Sequence, residues 1–509
     1  MATRSVETES TTALALQEKG KLIKSLRRFD MVFFTVCAFV GLDTLGTVAS
    51  NGPEGFVWLL VTAVLFVAPY MLMMAEVGSA FTQEGGPYEW TKLAFGRLHG
   101  GVAAILYWIT NPLWVGGSLA FTAVAAWSAN ISKIGDASVG DYVFCLAFIW
   151  ISIGVAIISL RYGKWIPNAG AILRGVVLGF FSLTMVVYGA KHGFSQFQGH
   201  WSPTRTIFFG LVPVLLFNYV GFELQNGAAE EMDNPQRDVP ISILRSGITG
   251  VLMYVVPVFC ILLVLPLKQV TSIGGFIDAV TVAFHGVYGG AAHALLIVMT
   301  LCFIAALVTS GAVWMIGSDR IQAVAAYDGA FFPFFGVFNR KLGTPVRVNV
   351  MSGVASTIFC VAAIEMLRHQ STANAFTVVL DIAISTTLLS YLWIFPAALK
   401  LRYSHGHVHR PYVHPWGMPG LWISTILTTF WIALGSFEAI FPDVIEKIFG
   451  VGYGFKSSWG VSRGEFELLT LGTLAVIVAF GIVGYWFGTG VRAQTVEVPL
   501  EAGAAPAVT

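Results

Sequence analysis

Long uncharged stretches recur along this chain, at residues 56–75, 101–128, 142–160, 246–267 and 294–318, with a shorter one at 348–364 and a longer one at 468–491. A helix needs roughly 20 apolar residues to cross the hydrocarbon of a bilayer, so these runs read as membrane spans. Further spans hold a single charge each: 31–50 (Asp43), 165–190 (Arg174), 206–229 (Glu223), 374–399 (Asp381) and 420–441 (Glu438). Together they make twelve candidate spans. A segment in lipid must satisfy its own backbone, which selects helices over open strands. Nothing alternates as a transmembrane strand would. The expected fold is therefore all-α, integral to a membrane, with twelve transmembrane helices.

Composition excludes the main rivals. Only 11% of residues are charged, against roughly 25% in soluble domains. The 29 Lys and Arg nearly balance the 28 Asp and Glu, so no global field points to nucleic acid. The five cysteines lack metal-ligand spacing and read as small buried hydrophobes. No metal and no cofactor is expected. A His-rich loop (His405, His407, His409, His414) has no Cys or carboxylate to complete a metal site and reads as solvated. No HExxH, GxSxG or phosphate-cradling loop occurs, so the chain reads as neither an enzyme nor a direct user of ATP.

Residues 1–29 are polar, with Lys19, Lys21, Lys24, Arg27 and Arg28. Placing them inside and alternating through the spans puts most of the Lys and Arg in the inner loops, which predicts cytoplasmic termini and a cell-membrane location. Residues 319–347 read as a cytoplasmic interfacial helix and turn, and 268–289 as a short outer helix. Residues 492–509 read as a tail without a folded domain.

Carriers often expose backbone at mid-membrane depth by interrupting a helix, where N–H and C=O groups can hold a charged substrate. Two spans have the required Gly and acidic residues. One reads Val40-Gly41-Leu42-Asp43-Thr44-Leu45-Gly46-Thr47, the other Asn218-Tyr219-Val220-Gly221-Phe222-Glu223. Close helix packing would explain the glycines equally well, but not the acids. A carboxylate inside a span normally faces a cavity or a partner.

These motifs, with Ala229 to Pro240, with Glu84-Gly85-Gly86-Pro87-Tyr88-Glu89-Trp90, with Gly343-Thr344-Pro345 and with Arg410-Pro411-Tyr412, resemble the amino acid–polyamine–organocation permeases. The resemblance spans about residues 30–490. Thr47-Val48-Ala49, Asn51-Gly52, Ser318-Asp319-Arg320 and Val264-Leu265-Pro266 look most like the bacterial glutamate/GABA antiporter branch. Asp43 departs from it, standing where that branch carries a basic residue, and an acid there favours an amine or cationic group.

The resemblance implies a leucine-transporter-type fold of two inverted five-helix repeats plus helices 11 and 12. The divisions expected are a tail over 1–29, a first repeat over 30–190, a second over 206–400, helices 11 and 12 over 419–491 and a tail over 492–509. It implies a secondary active amino acid transporter working by alternating access, or alternatively a polyamine carrier. The expected partners are an amino acid or amine, protons as coupling ion and the lipid bilayer, for a monomer or a homodimer.

The substrate carboxylate suits N–H groups at Leu45, Gly46 and Thr47, and the ammonium suits carbonyls of Phe217, Asn218 and Val220, with Asp43 as a further acceptor. Gly221 belongs to the second break. Phe217, Tyr219 and Trp314 are candidate gates, with core packing as the other reading. Arg174 stands where family members carry a lysine in the place of a sodium ion. An arginine keeps its charge and can hold helices but not carry a proton; snorkelling to the interface is its other reading. The proton then falls to Glu223 or Asp43. Asp381 either faces the cavity or pairs with an outer residue. Glu76, Glu230 and Glu231 read as inner ion pairs or a gate with Arg237.

Overall fold

The computed structural model describes residues 8–22, 24, 26–162, 165–194, 201–202, 204–266, 275–368, 372–451 and 454–499. Its main elements are β1 (Thr8–Thr12), α1 (Ala13–Lys19), α2 (Arg28–Phe39), α3 (Leu45–Ser50), α4 (Gly52–Ala80), α5 (Gly86–Phe95), α6 (Arg97–Asn130), α7 (Val139–Tyr162), α8 (Trp165–His192), α9 (Arg205–Asn218), α10 (Pro235–Val264), α11 (Gly275–Tyr288), α12 (Ala292–Tyr327), α13 (Val346–Met366), α14 (Thr372–Ser404), α15 (Gly417–Ile440), α16 (Arg463–Phe487) and β2 (Thr495–Pro499). Among the described residues ten helices are long and apolar enough to cross a membrane, with α11 running on into α12. The other two expected spans, 31–50 and 206–229, are interrupted.

Local signals explain the helix starts. Pro53, Pro87 and Pro235 occupy first turns, where a missing N–H costs nothing. Thr204, Asn234 and Ser462 cap α9, α10 and α16 with side-chain oxygens. Burial then sorts the helices. The most apolar window of α6 is 94% buried and that of α14 83%, against 28% in α16. So α6 and α14 form the centre, while α16 turns Leu468, Val476 and Trp486 outward. In a bilayer such exposed apolar faces meet lipid.

Both α4 and α6 contain a π-helical turn, at Ala63–Val67 and Val115–Leu119. The second matters for the site. Gly116 and Gly117 let α6 pass close to Ser356 of α13 and Val379 of α14, where any Cβ would collide. The extra residue of the turn re-aims the side chains around it.

Two expectations are corrected. No interfacial helix forms over 319–347: α12 continues to Tyr327, and between it and α13 only the turn Pro333–Phe335 is helical. The charges at Asp319 and Arg320 do not end the helix because both find buried partners, described below. His414 is not solvated. It is buried, with Nε2 3.0 Å from Ser424 Oγ. The expected outer helix is described from Gly275; residues 268–274 lie outside the described residues, as do 1–7 and 500–509.

The two polar tails meet. β1 pairs antiparallel with β2, from Thr8 opposite Pro499 to Thr12 opposite Thr495. Arg97 holds the ribbon from the α6 end, donating to Ser10 O at 3.1 Å and Thr495 Oγ1 at 3.1 Å. Thr12 Oγ1 donates to Tyr327 O at 2.7 Å.

Candidate substrate-binding site

A helix that stops inside a membrane leaves its last carbonyls without partners. α2 stops at Phe39, and four side chains from other helices satisfy its end. Ser310 Oγ donates to Cys37 O at 3.3 Å, Trp314 Nε1 to Ala38 O at 2.9 Å, Tyr254 Oη to Phe39 O at 3.0 Å, and Arg174 Nε to Val40 O at 3.1 Å. Tyr254 also accepts from Gly41 N at 2.8 Å, so one hydroxyl spans the break. The chain resumes as α3 at Leu45.

α9 stops at Asn218, and Leu224–Glu231 continues as a 3-10 stretch. Between them Gly221 has φ +117°, a left-handed region that a side chain rarely adopts. A Cβ there would also stand 2.8 Å from the Trp314 ring. The break and the tryptophan therefore fit only with glycine.

The two breaks face each other across a narrow cavity lined by Ala38, Phe39, Gly41, Asp43, Thr44, Trp114, Phe217, Asn218, Val220, Tyr254 and Trp314. Its volume is about 10 Å³, roughly room for one water, so anything larger would fit only if side chains withdrew. Asp43 is 2% exposed. Its Oδ2 accepts from Trp114 Nε1 at 2.8 Å and Ser118 Oγ at 2.5 Å, both at the π-turn of α6. Its Oδ1 has no hydrogen-bond partner among the described residues, nor has either amide atom of Asn218.

Of the residues singled out in the sequence, Asp43, Phe217, Asn218, Val220 and Trp314 line this cavity. Leu45 and Gly46 are buried just beyond it, and Thr47 O accepts from Ser50 and Asn51. Tyr219 points away, donating to Leu59 O at 3.2 Å and packing on Phe39 and Tyr254. Asp381 is buried on α14 but is not among the lining residues. A larger surface groove of about 300 Å³, between Val102, Trp393 and Tyr485, contains none of these groups.

Glu223 lies beside the second break, fully buried. Three tyrosines that the sequence reading missed converge on it. Tyr70 of α4 donates to Oε2; Tyr107 of α6 donates to Oε1 at 2.7 Å and Tyr391 of α14 at 2.6 Å. Tyr70 also accepts from Gly221 N at 3.1 Å. Tyr107 packs on Trp314 at 6.0 Å between ring centroids, linking the Glu223 cluster to the cavity wall. The available signal was a tyrosine inside each of three apolar spans, since a buried phenol needs a partner.

Arg174 does not snorkel. It is fully buried and donates to Val40 O, to Cys37 Sγ at 3.0 Å, Gly170 O at 2.9 Å, Thr309 Oγ1 at 3.3 Å and Ala306 O at 2.6 Å. It thus ties the interrupted α2 to α8 and α12, its charge held against the carbonyl end of α2. Each carbonyl stripped of its donor costs about 1–3 kcal/mol. Arg174→Ala is accordingly expected to lower the melting temperature in detergent and to stop transport. Normal transport by the variant would reduce Arg174 to packing.

Arg320 of α12 is fully buried between Glu231 at 2.6 Å and Glu84 at 3.3 Å. Burial pushes the Glu84 carboxyl well above its ordinary range, and Arg320 pulls it back. Glu230 pairs with Lys19 at 2.8 Å, and Glu76 with Arg402 at 3.0 Å and Arg410 at 3.4 Å. The partner of Glu231 is therefore Arg320, not Arg237. Asp319 accepts from Trp108 Nε1 at 3.0 Å, Ser352 Oγ at 2.6 Å and Asn349 Nδ2 at 2.5 Å, joining α6, α12 and α13.

Comparison with known proteins places this geometry in context. Residues 26–454 match the family model described as amino acid permease. A protein of Lactococcus lactis named "Probable agmatine/putrescine antiporter" is 27% identical over 404 residues, covering 78% of this chain and 83% of its own. An uncharacterised transporter of Legionella pneumophila is 28% identical over 412 residues (77% and 84%), and cationic amino acid transporter 1 of Arabidopsis thaliana 23% over 428 (79% and 66%). The crystal structure of a manganese transporter mutant of Eremococcus coleocola superposes with TM-score 0.55 at 11% identity, over 94% of this chain and 95% of that one. That likeness bears on fold alone.

Proposed function

The chain belongs to the amino acid permease family, and on that premise we propose how this secondary transporter works. It carries an amino acid or a related amine by alternating access, with the substrate seated between the two broken helices. The observation that carries the reading is the cavity enclosed by the breaks at Val40–Thr44 and Tyr219–Glu223, with Asp43 and Asn218 holding unpaired polar atoms toward it. Buried polar atoms without partners are uncommon in folded proteins, and a bound solute would supply what they lack.

In this reading α2 with α3 forms the first crossing and α9 with the 3-10 stretch the sixth. That makes twelve, arranged as two inverted sets of five followed by α15 and α16, with both termini on the cytoplasmic side of the cell membrane. Trp314 and Phe217 act as lids over the substrate. Arg174 is a fixed charge, and Glu223 is the group that exchanges a proton. An amine is favoured as the second reading by the Lactococcus relative's name and by the acid at position 43.

Counterflow decides the matter. Purified protein in liposomes, loaded with each of the twenty amino acids and common amines at two pH values, is expected to accumulate labelled substrate against at least one of them. No counterflow with any would overturn the assignment.

A further inference from the structure

We propose that the surface groove between α6, α14 and α16 holds a phospholipid with a net negative head group. Its acyl chain would lie along Leu98, Val102 and Ile482, and its phosphate at the end marked by His99 and Lys400. The inference does not depend on which solute the protein carries.

The groove sits where three helices reach the same edge of the bundle. Leu98 and His99 open α6, Tyr485 and Trp486 close α16, and Lys400 stands in the last turns of α14, which ends at Ser404. Gly481 brings α16 against Ile105 of α6, where an added Cβ would stand 2.9 Å from that side chain. The groove occupies the space between this contact and the helix ends. Leu98 is 43% exposed and Trp486 71%. Apolar walls and aromatic rings beside helix ends are the signature of a membrane–water interface.

The polar groups at the groove all donate. Trp393 Nε1, Tyr485 Oη and Trp486 Nε1 make no hydrogen bond to another group among the described residues. Lys400 lies on the face of α14 that carries Trp393, two turns further on. Its Nζ stands 4.6 Å from the centre of the Phe95 ring, and His99, which lines the groove, packs on that same ring at 6.3 Å. Arg492 lies over the Tyr485 ring at 3.7 Å, and its hydrogen bonds go only to uncharged oxygens of Gly329, Tyr485 and Thr489. Neither Lys400 nor Arg492 has a carboxylate partner among the described residues. The nearby acid is spent elsewhere, since Asp328 is buried against Tyr88, Lys92 and Arg97.

Indole N–H, ammonium and guanidinium groups donate and cannot accept. A set of such donors around an apolar groove matches phosphate and ester oxygens above a hydrocarbon chain. Two cations without acids favour a head group of net negative charge over a zwitterionic one, whose own cation would meet them with like charge.

The test titrates full-length protein in a neutral detergent with phosphatidylglycerol or phosphatidylcholine and counts the lipid retained by native mass spectrometry. The native protein is expected to hold one phosphatidylglycerol per chain at least about fivefold more tightly than phosphatidylcholine, the worth of one lysine beside an anionic lipid. Lys400→Gln should weaken phosphatidylglycerol by about the same factor and leave phosphatidylcholine unchanged. Val102→Trp, which fills the groove, should abolish retention of both. Equal affinity of the native protein for the two lipids would reduce the groove to ordinary bilayer contact and overturn the proposal. So would phosphatidylglycerol retention that survives both substitutions, or a native dimer that retains no lipid and dissociates on Val102→Trp, which would give the groove to a second copy of this chain. The native comparison needs no variant, so it decides even where a substitution folds poorly.

Discussion

Glu223→Gln is expected to slow exchange about a hundredfold, the scale of one or two lost charge-assisted hydrogen bonds. Tyr70, Tyr107 and Tyr391 all donate to this carboxylate, from α4, α6 and α14. A glutamine has one acceptor oxygen, and its amide N–H groups would oppose a hydroxyl that now donates. At least one tyrosine must turn away or lose its partner, and Tyr107 also packs on Trp314 at the cavity wall. Initial counterflow rates, normalised to protein that elutes as a single species, measure the effect. If Glu223 also exchanges the proton, the dependence of rate on pH should flatten in the same variant. A rate within twofold of the native protein would remove Glu223 from the working cycle.

The second large effect concerns stability. Arg320→Met should destabilise the protein by about 3–5 kcal/mol, the usual cost of removing one partner from a buried ion pair. Glu84 and Glu231 would then face each other without a cation. The sign with pH follows from burial, which already holds the Glu84 carboxyl above its ordinary range. A carboxyl raised in the folded state adds stability while protonated and forfeits it as pH rises past the ordinary carboxylate range. The penalty in Arg320→Met should therefore shrink toward acid pH. Adding Glu231→Gln should recover part of it at neutral pH. Thermal melting in detergent at several pH values is the measurement, and equal midpoints for native and variant protein would contradict the account.

Much of this architecture was written in simple patterns. Long apolar runs mark helices because lipid leaves the backbone no other partner, and a glycine beside an acid marks the breaks because neither serves a continuous lipid-facing rod. Asp43, Asn218, Val220 and Trp314 could thus be picked out from sequence. Their partners could not. Tyr70, Tyr107, Tyr254, Tyr391, Trp114 and Ser118 come from spans far apart in the chain, and pattern along one helix says nothing about which neighbour a side chain meets. Asp381, a lone acid in an apolar span, is buried on α14 and is not among the residues that line the cavity. The prolonged α12 was missed because Asp319 and Arg320 read as surface charges. Only their partners, Trp108, Asn349 and Ser352 for one and Glu84 and Glu231 for the other, explain their burial.

The ribbon of β1 and β2 has a practical consequence for anyone labelling this protein. Fluorophores attached near Ser10 and Glu497, which oppose each other in the pairing, would report on each other's distance directly. A bulky fusion at either position would compete with its strand partner. A connector joining Thr8 to Pro499 could be short, because the two stand opposite each other in the pairing.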